Sequence, residues 1–348
     1  MSFHYMELPR IILVGNNVLE RMGEFINRVC DAKRVLIVTD RKLKELYGKM
    51  VEEALKINDT TLFWELIINA DFENVKKVKN KINEEKIDLI IGMGGGTCID
   101  VAKLSAYETK RLFVSVPTNA AHDGIASPFA SIKDSGRPYS IVSSSPSGVL
   151  ADIEIISSAP ERYFRSGCGD LIAKITAVKD WQLARDEKGE YYGEYSASLA
   201  LLSADVVIRN SEKIGARPKE KIRDIVEALI SAGVAAGIAG SSRPCSGSEH
   251  LFSHALDIIA PGKGLHGEKC GIGTILMAKL HNLNWERIKI ALENIGAPTR
   301  ISDIGVSRNE AIEALLLAPR IRERYTILHK MNLSRDEALK LILDTGVD

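Results

Sequence analysis

The chain has 348 residues, 45% of them apolar and 26% charged, a globular composition with more length than one average domain needs. Lys plus Arg and Asp plus Glu number 46 each, so the formal net charge is zero. That balance excludes a broad nucleic-acid surface or a wide acidic-membrane surface and leaves room only for a local anion site. In chain order, the run 34–39 (RVLIVT) predicts a strand ending at Asp40. Residues 42–58 follow with Leu43, Leu46, Val51, Ala54 and Leu55 at helical spacing. Residues 61–68 predict a second strand, 75–85 an amphipathic helix, 87–91 (IDLII) a third strand, 98–107 a helix and 112–116 a fourth strand. Short apolar strands alternating with helices predict a parallel sheet covered on both faces. The stretch 131–150, rich in Ser, Gly and Pro, reads as a hairpin or loop excursion. Beyond Ser158 helical periods dominate: 171–185, 195–210, 222–239, 249–259, 272–280, 285–295, 308–318 and 334–343. The expected organisation is an α/β nucleotide-type domain over residues 1–159 and an all-helical domain over 160–348.

Cys30, Cys98, Cys168, Cys245 and Cys270 form no CxxC pair, which argues against a disulfide framework and a Cys-rich zinc module. The stretch from Met1 to Pro9 lacks the apolar run of a signal peptide, and 230–240 is too short and too Gly/Ala-rich to span a bilayer. A soluble cytoplasmic protein is expected. Gln182 is the only glutamine among many Lys and Glu, a bias of heat-adapted proteins.

The third strand runs into Gly92-Met93-Gly94-Gly95-Gly96-Thr97, where a helix begins. Glycines let a ligand approach the backbone, and free N–H groups at a helix start attract a phosphate. Thr97 is the expected N-cap, with Asp100 as its capping-box partner. The spacing fits neither a P-loop nor GxGxxG, and an unliganded tight turn is the plainer alternative. Asp40 suits a ribose 2′-hydroxyl, whereas Arg41 and Lys42 suit a 2′-phosphate, so NAD against NADP stays open. After the fourth strand, Thr118, Asn119, Asp123 and Ser127 place polar groups where open α/β sheets carry ligand loops.

Three of seven histidines fall in one window: His250, His254 and His266. His250 and His254, spaced i, i+4 on a helix, point off one face, and two imidazoles one turn apart chelate a divalent ion. His266 lies in a predicted loop, Gly262-Lys263-Gly264-Leu265-His266-Gly267, that can fold back over them. Asp170 offers a carboxylate, its plainer reading being the N-cap of the helix over 171–185. Cys270 is a rival ligand, and with three histidines it would close the site into a structural zinc.

Taken together these segments resemble the superfamily of metal-dependent polyol dehydrogenases that includes glycerol dehydrogenase, iron-activated alcohol dehydrogenases and dehydroquinate synthase. The carriers are Gly94-Gly95-Gly96-Thr97-x-x-Asp100-x-Ala102-Lys103, Val116-Pro117-Thr118, Gly169-Asp170, His250-x3-His254 and His266-Gly267-Glu268. The stretch from Pro117 to Ser127 is most similar to the archaeal sn-glycerol-1-phosphate dehydrogenase branch, which serves membrane-lipid synthesis. The resemblance implies a dinucleotide-binding domain, a helical metal- and substrate-binding domain, and an active site in the cleft between them. It implies Zn2+ on Asp170, His250 and His266, with His254 and Asp123 touching substrate and Asp170 also counted as catalytic. It implies NAD(H) or NADP(H) on Gly94, Gly95, Gly96, Thr97, Cys98, Thr118, Asn119 and Ser127. The implied reaction is reduction of dihydroxyacetone phosphate to sn-glycerol 1-phosphate by a homo-oligomer. Cys98, where many relatives carry other small or polar residues, is given no chemistry. The rivals are a glycerol dehydrogenase acting on unphosphorylated polyols, a dehydroquinate-synthase-like lyase, and a nucleotide-binding protein with a structural zinc on His250, His254, His266 and Cys270. Lys263, Lys269 and Arg165 are the cations considered for a substrate phosphate, and the sequence singles out none.

Overall fold

The computed structural model describes residues 6–56, 60–134 and 137–348. Residues 1–5 of the N-terminal stretch and the last two of the helix expected over 42–58 lie outside the described residues. Strands β1 (Ile11–Gly15), β2 (Arg34–Thr39), β3 (Thr61–Leu66), β4 (Leu89–Gly94), β5 (Leu112–Pro117) and β8 (Gly148–Asp152) form one sheet, ordered β1-β8-β5-β4-β2-β3. Every neighbouring pair in it is parallel. β4 is buried along its whole length and β2 from Val35 to Thr39, which is why both read as unbroken apolar runs instead of alternating patterns. β6 (Phe129–Asp134) and β7 (Arg137–Val142) make the antiparallel hairpin expected between 131 and 150. The tail of that excursion, however, is β8, a buried strand of the main sheet, and β1 pairs with it in register from Ile11↔Gly148 to Gly15↔Asp152. Both strands are only five residues long, and the Ser-Pro-Ser run before β8 hides it in turn-like composition. From β3 the chain crosses back over β2 to β4 and continues outward to β5, so the winding reverses between β2 and β4. In open parallel sheets, ligands bind beyond the carboxyl ends of the strands at that reversal.

The chain divides into two compact units, the first comprising residues 1–120, 124–160 and 222–237, the second 121–123, 161–221 and 238–348. A single cut after residue 159 is therefore too simple. The segment 222–237, in the helix Pro218–Ala239, counts with the sheet, while Ala121, His122 and Asp123 count with the helical unit.

Within the helical unit, Leu251, Phe252, Ala255 and Leu256 of helix Ser248–Ile259 are buried, as are Ile272, Ile275, Leu276 and Met277 of helix His266–Leu280, and the two helices pack together. Capping boxes Ser307/Glu310 and Ser334/Glu337 set the starts of helices Arg308–Leu317 and Arg335–Thr345. Two sequence expectations change here. The helix read over 171–185 is two, Glu161–Ile172 and Lys174–Lys188, and the helix read from 272 starts at His266.

Candidate active site

The turn after β4 belongs to the sheet unit. Its helix runs Gly96–Thr109 with Gly95 as N-cap, so Thr97 lies in the first turn and does not cap, contrary to the expectation. Asp100 is not a capping partner either: its carboxylate accepts from Ser131 N at 3.1 Å and pairs with buried Lys103 at 3.6 Å. Among the described residues no side chain caps this helix, which leaves its first N–H groups to solvent or an anion. Gly94 has φ +153°, and a Cβ there would lie 2.8 Å from Cys98, so only glycine lets the chain bend there. Thr118 N donates to Gly94 O at 3.1 Å, and a Cβ on Gly95 would meet Asn119 Nδ2 at 2.9 Å. The sheet unit thus gathers Gly94, Gly95, Gly96, Thr97, Thr118 and Asn119 at the ends of β4 and β5. Ser127 lies buried just before β6, its hydroxyl 3.5 Å from Phe129 O. Burial, then the charge of Asp40, pushes the Cys98 thiol up to about 12, so it stays protonated at neutral pH. Asp40 caps helix Arg41–Leu55, one carboxylate oxygen accepting from Leu43 N at 2.9 Å.

The second group of residues lies in the helical unit. Asp170 does not precede a helix but sits inside Glu161–Ile172. The small residues before it permit a backbone crossing: a Cβ on Gly169 would strike Gly267 O, and one on Gly267 would strike Ser166 O. That contact seats Asp170 beside the start of the helix His266–Leu280, whose first residue, His266, is therefore not a loop residue. Asp180 accepts from both Ser248 N (2.6 Å) and Ser248 Oγ (2.5 Å), fixing the start of the helix that carries His250 and His254. One ligand atom each from Asp170, His250, His266 and Cys270 lies within 4.8 Å of all the others. His250 Nε2 is 3.4 Å and His266 Nε2 3.8 Å from Asp170 Oδ1. His254 is outside this set, its Nε2 3.3 Å from an Arg322 guanidinium nitrogen.

Two residues that sequence reasoning missed complete the cluster. Glu249 is fully buried; its carboxylate lies 2.7 Å from His250 Nδ1 and accepts from Thr176 Oγ1 at 2.7 Å and Gly247 N at 2.6 Å. A carboxylate on the far nitrogen of an imidazole sets the tautomer that presents the near nitrogen to a metal. Lys174, also fully buried, bonds Asp170 at 2.9 Å and Asp123 at 2.7 Å, and Asp123 N donates to Asp170 Oδ2 at 2.9 Å. Their signals were adjacency to His250 and an i, i+4 offset from Asp170.

The electrostatics follow from this wiring. Burial opposes the charge on Asp170, but Lys174 and then His250 outweigh it and hold the carboxyl well below the usual range. Burial likewise opposes a charged His250, and Cys270, Asp170 and Glu249 overcome it, raising the imidazole well above its ordinary value. Burial, then the charge of His250, holds His266 well below. Burial raises the Cys270 thiol. Burial lowers His254 to about 4 despite nearby Asp257, so it is neutral at pH 7. A carboxylate, two imidazoles and a thiol within ligating reach, with the Glu249 carboxylate on the far nitrogen of His250, are a donor set that fits a divalent transition metal.

Residues 13–160 match the family model described as iron-containing alcohol dehydrogenase. A probable glycerol dehydrogenase from Sinorhizobium meliloti superposes with a TM-score of 0.81 at 20% identity, covering 98% of each chain. The fold is thus that of the iron-containing alcohol dehydrogenase class. Within that class, an NAD(P)+ glycerol-1-phosphate dehydrogenase of Nitrosopumilus maritimus is 48% identical over 348 residues, covering 100% of this chain and 98% of its own. That of Thermococcus sibiricus is 48% identical over 350 residues, covering 100% and 99%. The chain belongs to the glycerol-1-phosphate dehydrogenase family, as the motifs suggested.

Proposed function

We propose that this protein reduces dihydroxyacetone phosphate to sn-glycerol 1-phosphate with NADH or NADPH, supplying the glycerophosphate of archaeal membrane lipids. The meeting of Asp170 with two imidazoles from separate helices carries the reading, and the names and archaeal sources of the full-length relatives support it. Neither an unphosphorylated-polyol dehydrogenase nor a dehydroquinate-synthase-like lyase is favoured by those names.

In this reading Asp170, His250 and His266 hold a zinc ion and Cys270 is not a ligand, which leaves a coordination position open as catalysis requires. When bound, the ion polarises the substrate carbonyl and offsets charge growing on its oxygen. Gly94, Gly95, Gly96, Thr97 and the Cys98 backbone cradle the cofactor pyrophosphate, with Thr118, Asn119 and Ser127 around it. Reduction adds a hydride to the carbonyl carbon, which a reduced nicotinamide held there would supply, and a proton to its oxygen. For the proton, His254 stands one helical turn beyond His250 as a neutral imidazole suited to relay a proton. Lys174, 2.7 Å from Asp123, holds that carboxylate in place to accept a substrate hydroxyl.

The test is NADH or NADPH oxidation with dihydroxyacetone phosphate, with and without a chelator, followed by chiral analysis of the product. Chelator-sensitive oxidation yielding sn-glycerol 1-phosphate is expected. Faster turnover of unphosphorylated dihydroxyacetone, or cofactor that is not consumed, would defeat the proposal.

A further inference from the structure

We infer that Arg322 is the anchor for the phosphate of the substrate, an inference that rests on the function proposed above. The three cations that the sequence offered for this task are already engaged. Lys263 holds both Glu310 oxygens at 2.8 and 2.9 Å, Lys269 pairs with Asp257, and Arg165 donates to Glu161 and Gly296 O. Arg322 is different. It lies between the short helices Ala318–Arg320 and Ile327–Met331, half-buried. Among the described residues its side chain has one polar partner, His254 Nε2 at 3.3 Å, and no carboxylate.

A guanidinium carries five N–H donors and no acceptor, so a single contact to a neutral imidazole leaves most of it unused. Its neighbour Arg324 is spent differently, donating to Ser246 O and to Ser242 Oγ at 2.7 Å. Burial, with the charges of Arg322 and Arg243 adding to it, pulls Arg324 down to about 9. The carboxylate beside His254, Asp257, is already paired with Lys269, which leaves the Arg322 charge without a counter-ion among the described residues. Among the described residues the buried His254 Nδ1 has no hydrogen-bond partner, Asp257 Oδ2 lying 3.9 Å away.

A phosphate monoester answers this charge. It brings up to two negative charges and a planar pair of oxygens suited to a guanidinium fork. The ketone carbon of dihydroxyacetone phosphate is one methylene and one ester oxygen from phosphorus. A carbonyl at the Asp170–His250–His266 cluster thus places its phosphate only a short reach away, and Arg322 stands one imidazole from that cluster through His254. An unphosphorylated ketone cannot use the anchor, so Arg322 is also a specificity determinant.

The experiment compares metal-loaded wild-type, Arg322→Leu, Arg322→Lys and Lys263→Ala enzymes on dihydroxyacetone phosphate and on dihydroxyacetone, with zinc content measured for each. Arg322→Leu should raise KM for the phosphorylated ketone at least about 30-fold, the scale for losing one partner of a desolvated charge pair. It should keep its zinc, and its loss on dihydroxyacetone, felt only through the His254 contact, should be several-fold smaller than its loss on the phosphorylated ketone. Arg322→Lys, which keeps charge but loses the fork, should fall between, and Lys263→Ala should match wild type. An unchanged KM in Arg322→Leu, or an equal loss on both ketones, overturns the inference while the proposed reaction stands. If wild type instead ignores dihydroxyacetone phosphate, the functional reading fails. Calorimetry with inorganic phosphate then decides the anchor separately: binding abolished by Arg322→Leu supports it, and binding unchanged refutes it.

Discussion

In the proposed function, the turn after β4 would bind the cofactor phosphates through backbone N–H groups that are contiguous from Gly94 to Cys98. In the helical unit the donors are side chains from three helices, Asp170, His250 and His266, with two further buried groups, Glu249 and Lys174, fixing their protonation and aim. The first arrangement depends on local conformation, and a side chain in the wrong place ruins it. The second depends on long-range packing and charge, and it fails when a partner is removed. The two should therefore respond to different substitutions and be read by different assays.

The largest effect is expected from Asp170→Asn or His266→Ala, which should lose bound metal and bring turnover to background; metal analysis alongside the oxidation assay checks this. A variant that loses its metal and keeps normal turnover would dissolve the proposed role. Next comes Glu249→Gln, expected to weaken metal affinity about 10- to 100-fold without touching cofactor binding, by competition with a chelating indicator. Gly94→Ala should do the reverse. Its strained φ costs about 1–3 kcal/mol, so cofactor KM should rise roughly tenfold while metal content stays full. The fourth concerns pH. His254 titrates near 4 when folded and near 6.5 when unfolded, so the unfolded chain takes up a proton first on acidification. Stability from this residue is intact above about pH 6.5 and is lost on falling to about 4, by up to about 3 kcal/mol. Denaturant titrations should show a shallower acid limb in His254→Gln. The smallest effect is expected of Cys270→Ala, which should keep its metal within a few-fold of wild-type affinity; outright loss would favour a closed structural site.

The turn was legible because everything it needs is adjacent: a buried strand, three glycines and a helix start. The imidazole pair was legible because i, i+4 spacing needs only a helix. What stayed hidden required packing. Asp170 follows Gly-Cys-Gly, which reads as a loop, yet those glycines serve a helix crossing at Gly267. His266 follows Gly262 and Gly264, both at positive φ, and the turn they make ends one residue before the helix that starts with His266. Glu249 and Lys174 resembled ordinary helix surface charges, and only burial shows otherwise. β1 and β8 were too short to stand out.

The buried wiring around Lys174 has one more consequence. Asp123, Asp170 and Glu249 carry three negative charges and Lys174 one positive, so with His250 neutral the core is left with two uncompensated negative charges. A dication makes it electroneutral, at the expense of the proton that His250 otherwise holds. A monovalent ion would leave the interior anionic and a trivalent ion would leave it cationic, both penalised where water is scarce. Three of the four charged groups in that sum, Asp123, Glu249 and Lys174, lie outside the proposed ligand set.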